Sequence, residues 1–230
     1  KKIIPGETVD MVSNVDSLED RLVVQSPVLA LENAKQVITG MGQMVQRMYN
    51  ASISYSFERN DKQLELGRRL EEMVDTIDHK VHDYLVKISV SNLDDKSAHH
   101  QSLYIDTIRD FERIADHAQN LFDFFEHRYE AKTLLSEGAE KDLKTLYDFV
   151  EKTLYLTVEA FNEHDHTLAE EIMKNEETID AMVRDYRKKH VFRLHNEPQK
   201  GRDDNLYVDI LSNVERIGDP CNNIAVNLIQ

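Results

Sequence analysis

Two pairs of carboxylates, each set four residues apart, are the first feature of this sequence that could do chemistry. Glu112 and Asp116 form one pair and Glu215 and Asp219 the other, both in the frame Glu-Arg-Ile-x-Asp. Residues at i and i+4 of a helix stand one turn apart on the same side, so each pair can converge on one cation. Upstream of each lies a second acidic pair at i and i+3: Asp75 and Asp78 in Asp-Thr-Ile-Asp, and Glu177 and Asp180 in Glu-Thr-Ile-Asp. If the helices carrying the two kinds of pair pack together, four carboxylates meet. Such a group cannot stay fully ionised at close range unless a cation or protons intervene. Carboxylate-only donor sets suit magnesium, calcium, manganese or iron, whereas zinc and copper usually recruit sulfur or imidazole. The competing reading is that the same acids are solvated or salt-bridged, with Arg113 and Arg216 as the partners nearest in sequence.

An acidic pair of this spacing is ordinary in a chain with 43 Asp and Glu among 230 residues, but its recurrence is not. The stretch Tyr104 to Asn120 aligns without a gap on Tyr207 to Asn223, with Tyr, Asp, Glu-Arg-Ile, Asp and Asn repeated. Asp75 to Tyr84 aligns on Glu177 to Tyr186, and Phe57 and Asp61 match Phe161 and Asp165, at nearly the same offset. The repeating unit is about a hundred residues, far longer than solenoid periods of roughly 20 to 50.

The elements that must position these residues are helices. Only four prolines and seven glycines punctuate the chain, and apolar residues recur at helical spacing without strands of period two. Helices are predicted at roughly 27–57, 62–90, 98–129, 137–163, 166–194 and 203–229, the first opening with Ser26 as N-cap and Pro27 at the first helical position. Residues 1–26 read as an irregular linker segment, 27–133 as one three-helix repeat and 134–230 as the second. The fold class expected is all-α, two tandem antiparallel three-helix bundles. Ile108, Phe111, Ala115, Ala118 and Phe122 mark the buried stripe of one third helix, and Leu211, Val214, Gly218, Cys221 and Ala225 that of the other. Leu70, Val74, Ile77, Val81 and Leu85 do the same on the second helix, so all eight acids fall along the borders of apolar stripes.

Charge narrows the partners. With 28 Lys and Arg the formal charge is −15, a field that repels nucleic acid and anionic lipid surfaces. No window approaches about 18 consecutive apolar residues and no apolar stretch follows a basic start, so insertion in the membrane by this segment is not expected. The chain starts Lys1-Lys2-Ile3 without methionine, which reads as a fragment or processed product, with any anchor lying elsewhere. A single cysteine, Cys221, excludes an internal disulfide and fits a reducing compartment; it reads as a small buried hydrophobe. Met41, Met44 and Met48 read as core filler. His99, His100, His164 and His166 lie near predicted helix ends and read as surface residues, while His82 and His117 neighbour the acids only in the first copy. No phosphate-binding glycine loop, nucleophile elbow or His-Glu-x-x-His helix is present, so no catalytic residue is assigned, no cofactor-binding residue either, and no enzyme is expected.

The repeated Glu112-Arg-Ile-Ala-Asp116 and Glu215-Arg-Ile-Gly-Asp219, each preceded by its acidic Thr-Ile-Asp helix, resemble the PhoU family over residues 29–229. Upstream, Leu18-Glu-Asp-Arg-Leu22 and Ser26-Pro-Val-Leu-Ala-Leu-Glu-Asn-Ala34 are similar to the segment leading into the PhoU-like cytoplasmic tail of bacterial Na/phosphate cotransporter-type membrane proteins. The resemblance implies two three-helix bundles side by side and a regulatory role in phosphate transport exerted through protein partners. Those are a transporter membrane domain or another phosphate-signalling protein, with a homodimer also compatible. It implies a cytoplasmic domain tethered to the inner membrane in the full-length protein. It implies metal clusters of iron, zinc or a similar ion at Asp75, Asp78, Glu112, Asp116, Glu177, Asp180, Glu215 and Asp219, with manganese, magnesium and calcium admitted by the donor chemistry. Pro220 stands where the first copy has His117, which weakens the second site. The alternative function is a metal-independent helical docking module.

Overall fold

The computed structural model describes residues 18–89, 93–196 and 204–230. Seven helices lie among them: α1 (Asp20–Gln25), α2 (Pro27–Glu58), α3 (Asp61–Ser89), α4 (Asp95–Ala131), α5 (Glu137–Glu163), α6 (His166–Asn196) and α7 (Asp204–Ile229). The six long helices fall where the apolar spacing predicts them. The expected linker differs: residues 20–25 form α1, because Val23 is buried against α2 and α3 and Lys87 pairs with Asp20 at 2.9 Å. Isolated, a helix so short is unstable, so packing decides it and local composition cannot. Residues 1–17 and the predicted breaks at 91–92 and 197–201 lie outside the described residues.

Local chemistry sets the helix ends. The Asp94 carboxylate accepts from the Ser97 N–H (2.7 Å) and Ser136 Oγ from the Ala139 N–H (3.1 Å), each capping its helix. Asp165 accepts from the N–H groups of Thr167 and Leu168 at the start of α6. Ser26 precedes α2 but makes no side-chain capping bond, so Pro27 carries that start alone. Arg59, Lys132 and His164 adopt left-handed backbone (φ 49°, 53° and 52°) that lets their N–H groups reach back to the last turn and close α2, α4 and α5. Pro220 lies buried inside α7, which runs on through it.

Helices α2, α3 and α4 pack on one another, as do α5, α6 and α7. The two bundles join through α2 against α5 and α4 against α7. Met41, Met44, Val45, Met48 and Tyr49 are wholly buried on α2, as their spacing requires. Close approach of α2 to both bundles is possible because position 42 is glycine: a Cβ there would meet Phe111 at 2.8 Å and Val158 at 2.9 Å.

The contact between α4 and α7 follows the duplication. Asn223 donates to the Asp110 carboxylate (3.2 Å), and Asn120 donates to the Asn213 amide oxygen (3.3 Å). Asp110 and Asn213 are equivalent in the two repeats, and so are Asn120 and Asn223. Each repeat thus offers the other the same patch, as in a two-fold dimer. Asp110 and Asn213 are 7% and 5% exposed, so these bonds help satisfy polar groups that are shut away from water.

Candidate metal centre

Helix α3 carries Asp75 and Asp78 along the edge it shares with α4, which carries Glu112 and Asp116. The stripes between them are dry: Val74, Ile77, Val81, Phe111 and Ala115 are 2% exposed or less. The acids themselves border water, Asp75 and Asp116 exposed, Asp78 and Glu112 half-buried. Repeat 2 reproduces the gradation residue for residue, with Glu177 and Asp219 exposed and Asp180 and Glu215 half-buried.

In repeat 1 the charges of the other three acids bear on Glu112. Burial lifts the Glu112 carboxyl from 4.5 to about 7, assisted by the negative charges of Asp116, Asp78 and Asp75. Asp78 is raised by burial, with His79 and His82 working the other way. Among the described residues none of Asp75, Asp78, Glu112 and Asp116 makes an ion pair. Arg113, the partner expected from sequence, turns instead to Asp110 at 3.4 Å. His117 bonds Asn213 across the seam through Nδ1 (3.1 Å), which takes it away from Asp116.

Repeat 2 differs in its cations. Arg187 places Nη2 2.9 Å from Glu215 Oε2 and 2.9 Å from Ser212 Oγ, and Arg184 lies 3.4 Å from Asp180. Sequence reasoning missed Arg187; the signal was its place in the repeat, where the first copy has the buried Leu85. It missed two further acids as well. Glu71, one turn before Asp75, is raised by burial and then by Asp75 and Asp116. Glu176, one turn before Asp180, is raised by burial and then by Asp180 and Asp219. Among the described residues no three carboxylate, imidazole or thiol groups converge closely enough to hold a metal ion. Coordination at either place would require the side chains to change rotamer. The donors are all carboxylate oxygens, which suits a hard cation.

A protein-family model described as the PhoU domain matches residues 38–124 and 143–228, one match on each repeat. The chain belongs to the PhoU family. The crystal structure of PhoU from Pseudomonas aeruginosa superposes on this PhoU domain with a TM-score of 0.80 at 19% identity, covering 86% of this chain and 95% of that one. The phosphate transport system regulatory protein PhoU from Streptococcus pneumoniae gives 0.77 at 18% identity, covering 89% and 95%. At such identities the likeness establishes the fold. Among curated proteins, the PhoU domain is 22% identical over 215 residues to the "Putative inorganic phosphate export protein YjbB" of Salmonella typhimurium and 20% identical to its Escherichia coli namesake. The matched stretch is 92% of this chain but only 39% of the length of those relatives.

The remaining polar residues of the PhoU domain divide between structure and surface. Cys221 is fully buried, its thiol pushed up to about 12 by burial, as a packing residue should be. Of the histidines near helix ends, His99 and His166 are exposed as expected, whereas His100 and His164 are half-buried and stack at 5.3 Å between ring centroids. They meet because the start of α4 and the end of α5 come together. Among the described residues no helix is long and apolar enough to cross a membrane.

Proposed function

We propose that this PhoU domain regulates a phosphate transporter, serving as the control portion of a membrane protein of the kind YjbB and the Na/phosphate cotransporter-type proteins represent. Its action is regulatory and non-catalytic, exerted through contact with the transporter on the cytoplasmic side. Support comes from the family membership, from relatives named for phosphate export and phosphate transport regulation, and from the carboxylates shared by α3 and α4. The observation that carries the cation part is Glu112, lifted to about 7 by burial and by three neighbouring acids that no ion pair offsets.

Asp75, Asp78, Glu112 and Asp116 would hold the cation, with Glu71 able to join them. A bound metal ion would supply the positive charge that the group lacks. The protein's own residues supply the rest: α3 and α4 set the acids on facing edges, and the dry stripe beneath keeps Glu112 partly out of water. Neutralising those acids tightens α3 against α4, and the transporter would read that change. The polyacidic edge repels free phosphate, so phosphate should bind only where a metal ion bridges it.

The test is elemental analysis of the purified protein after dialysis, wild type beside Glu112→Ala/Asp116→Ala, with circular dichroism confirming helicity. Stoichiometric metal lost in the folded variant is the expected result. The metal-independent docking reading draws on the absence of a convergent donor set among the described residues. It is favoured if neither protein takes up iron, manganese, zinc or calcium. Phosphate binding that persists undiminished after chelation refutes the bridging idea. Radiolabelled phosphate flux in cells making either protein at equal level tests whether these carboxylates serve the regulation, and equal flux sinks the cation-dependent part of it.

A further inference from the structure

The two repeats place their acids alike, yet among the described residues only in repeat 2 do arginines form ion pairs with acids of the group, at Glu215 and Asp180. We infer that Arg187, with Arg184, occupies the place of the metal ion in repeat 2, so that cation response in this chain is confined to repeat 1. The inference rests on the reading of the carboxylate group of repeat 1 as a cation site.

Positional equivalence makes the comparison direct. Glu177, Asp180, Glu215 and Asp219 match Asp75, Asp78, Glu112 and Asp116 in identity class and in exposure. Three of the neighbours that change between the copies set the difference. Arg184 stands for His82, Arg187 for Leu85, and Ser212 for Arg109. The first two bring positive charge onto α6, and the third supplies the hydroxyl that fixes one of them. Ser212 donates its own proton to the Val208 carbonyl (2.9 Å), which leaves its oxygen free to accept from Arg187. Arg187 Nη2 therefore has two acceptors at 2.9 Å, one of them the Glu215 carboxylate. With side chains 37% and 25% exposed, this pair is better shielded than an ordinary surface salt bridge. Arg184 adds a looser contact to Asp180 one turn away.

A metal ion entering repeat 2 would have to displace the guanidinium from Glu215 and leave that charge half-buried beside it. In repeat 1 the equivalent position is Leu85, wholly buried, with no charge to displace. Arg109 lies near enough to favour ionisation of Asp78 but makes no ion pair with it among the described residues. The α6 to α7 contact is thus held permanently by an internal cation, and the α3 to α4 contact waits for an external one.

Manganese binding to the whole chain tests the inference, measured as metal per chain and Kd for four proteins confirmed as helical. Wild type should bind at repeat 1 alone, Glu112→Ala/Asp116→Ala should lose that binding, and Glu215→Ala/Asp219→Ala should keep it. Restoring the repeat 1 residues with Arg184→His/Arg187→Leu should add a second site, with affinity there raised at least about tenfold. Should the leucine variant misfold, Arg184→His/Arg187→Gln takes its place. Wild-type binding at two sites, half of it lost in Glu215→Ala/Asp219→Ala, overturns the inference. If wild type binds no manganese, the reading of repeat 1 fails by itself. Binding gained on removing the arginines would then still uphold the lock, and no gain would overturn it.

Discussion

Replacing Glu112 with glutamine in metal-free protein should stabilise the fold, and only at neutral to alkaline pH. Glu112 is shifted from 4.5 to about 7 in the folded chain, so the folded state holds this proton more tightly than the unfolded one. Its contribution is fully present below pH 4.5 and is lost as pH rises through 7. Taken at face value a shift of that size corresponds to roughly 3 kcal/mol. Water reaching this half-exposed group screens it, and about 1 kcal/mol is the discounted expectation. Glutamine has a similar shape and no charge to repel Asp78 and Asp116, so Glu112→Gln should recover that amount at pH 7.5. In a domain of this size the gain corresponds to about 2–4 °C in Tm. Near pH 4.5 the two proteins should be equally stable. Urea denaturation in the presence of chelator, followed by circular dichroism at both pH values, measures the difference. Titrating groups away from these acids act on both proteins and cancel. A variant less stable at pH 7.5, or a gain equal at both pH values, would refute the reasoning.

Three further outcomes follow from the packing. His164 is pulled from 6.5 to about 4 by burial and by Lys35, His100, His166 and Lys96, so the folded state favours its neutral form. Stability should fall as pH drops from 6.5 towards 4, and His164→Gln should lose about 1 kcal/mol less over that window in urea titrations, the value again discounted for screening. Gly67→Ala should destabilise by about 1–3 kcal/mol by thermal melting, since the added Cβ would run into the fully buried Phe122 ring and overwhelm the helix-propensity gain. Cys221, buried with its thiol raised to about 12, should resist thiol reagents in the native protein and react only on unfolding; rapid labelling of folded protein would show that α7 opens locally.

Helix identity was legible because Ile108, Phe111, Ala115, Ala118 and Phe122, and their counterparts, keep an unbroken 3.6-residue rhythm. α1 was not, since a six-residue helix exists only through what it packs against. The acids stood out by repetition, and their graded exposure matches their place on stripe borders. Their electrostatic partners were misread for a geometric reason. Arg113 and Arg216 follow Glu112 and Glu215 in sequence, but neighbours on a helix point about 100° apart. The guanidinium that reaches Glu215 comes from α6, 28 residues away. Glu71 and Glu176 escaped notice because each belongs to only one copy, so the repeat gave no signal for them. His100 and His164 share their stack through tertiary contact alone.

The seam between α4 and α7 has a further consequence. Where two separate polypeptides pair through identical patches, one gene encodes both, and every substitution is made twice. Here Asp110 with Asn223 and Asn213 with Asn120 preserve the pairing inside a single chain, so either half can vary alone. The seam has itself begun to diverge, with an ionisable carboxylate on one side and an amide in the matching position on the other. A molecule built this way has a front and a back, and a partner that grips one face finds different chemistry on the opposite one.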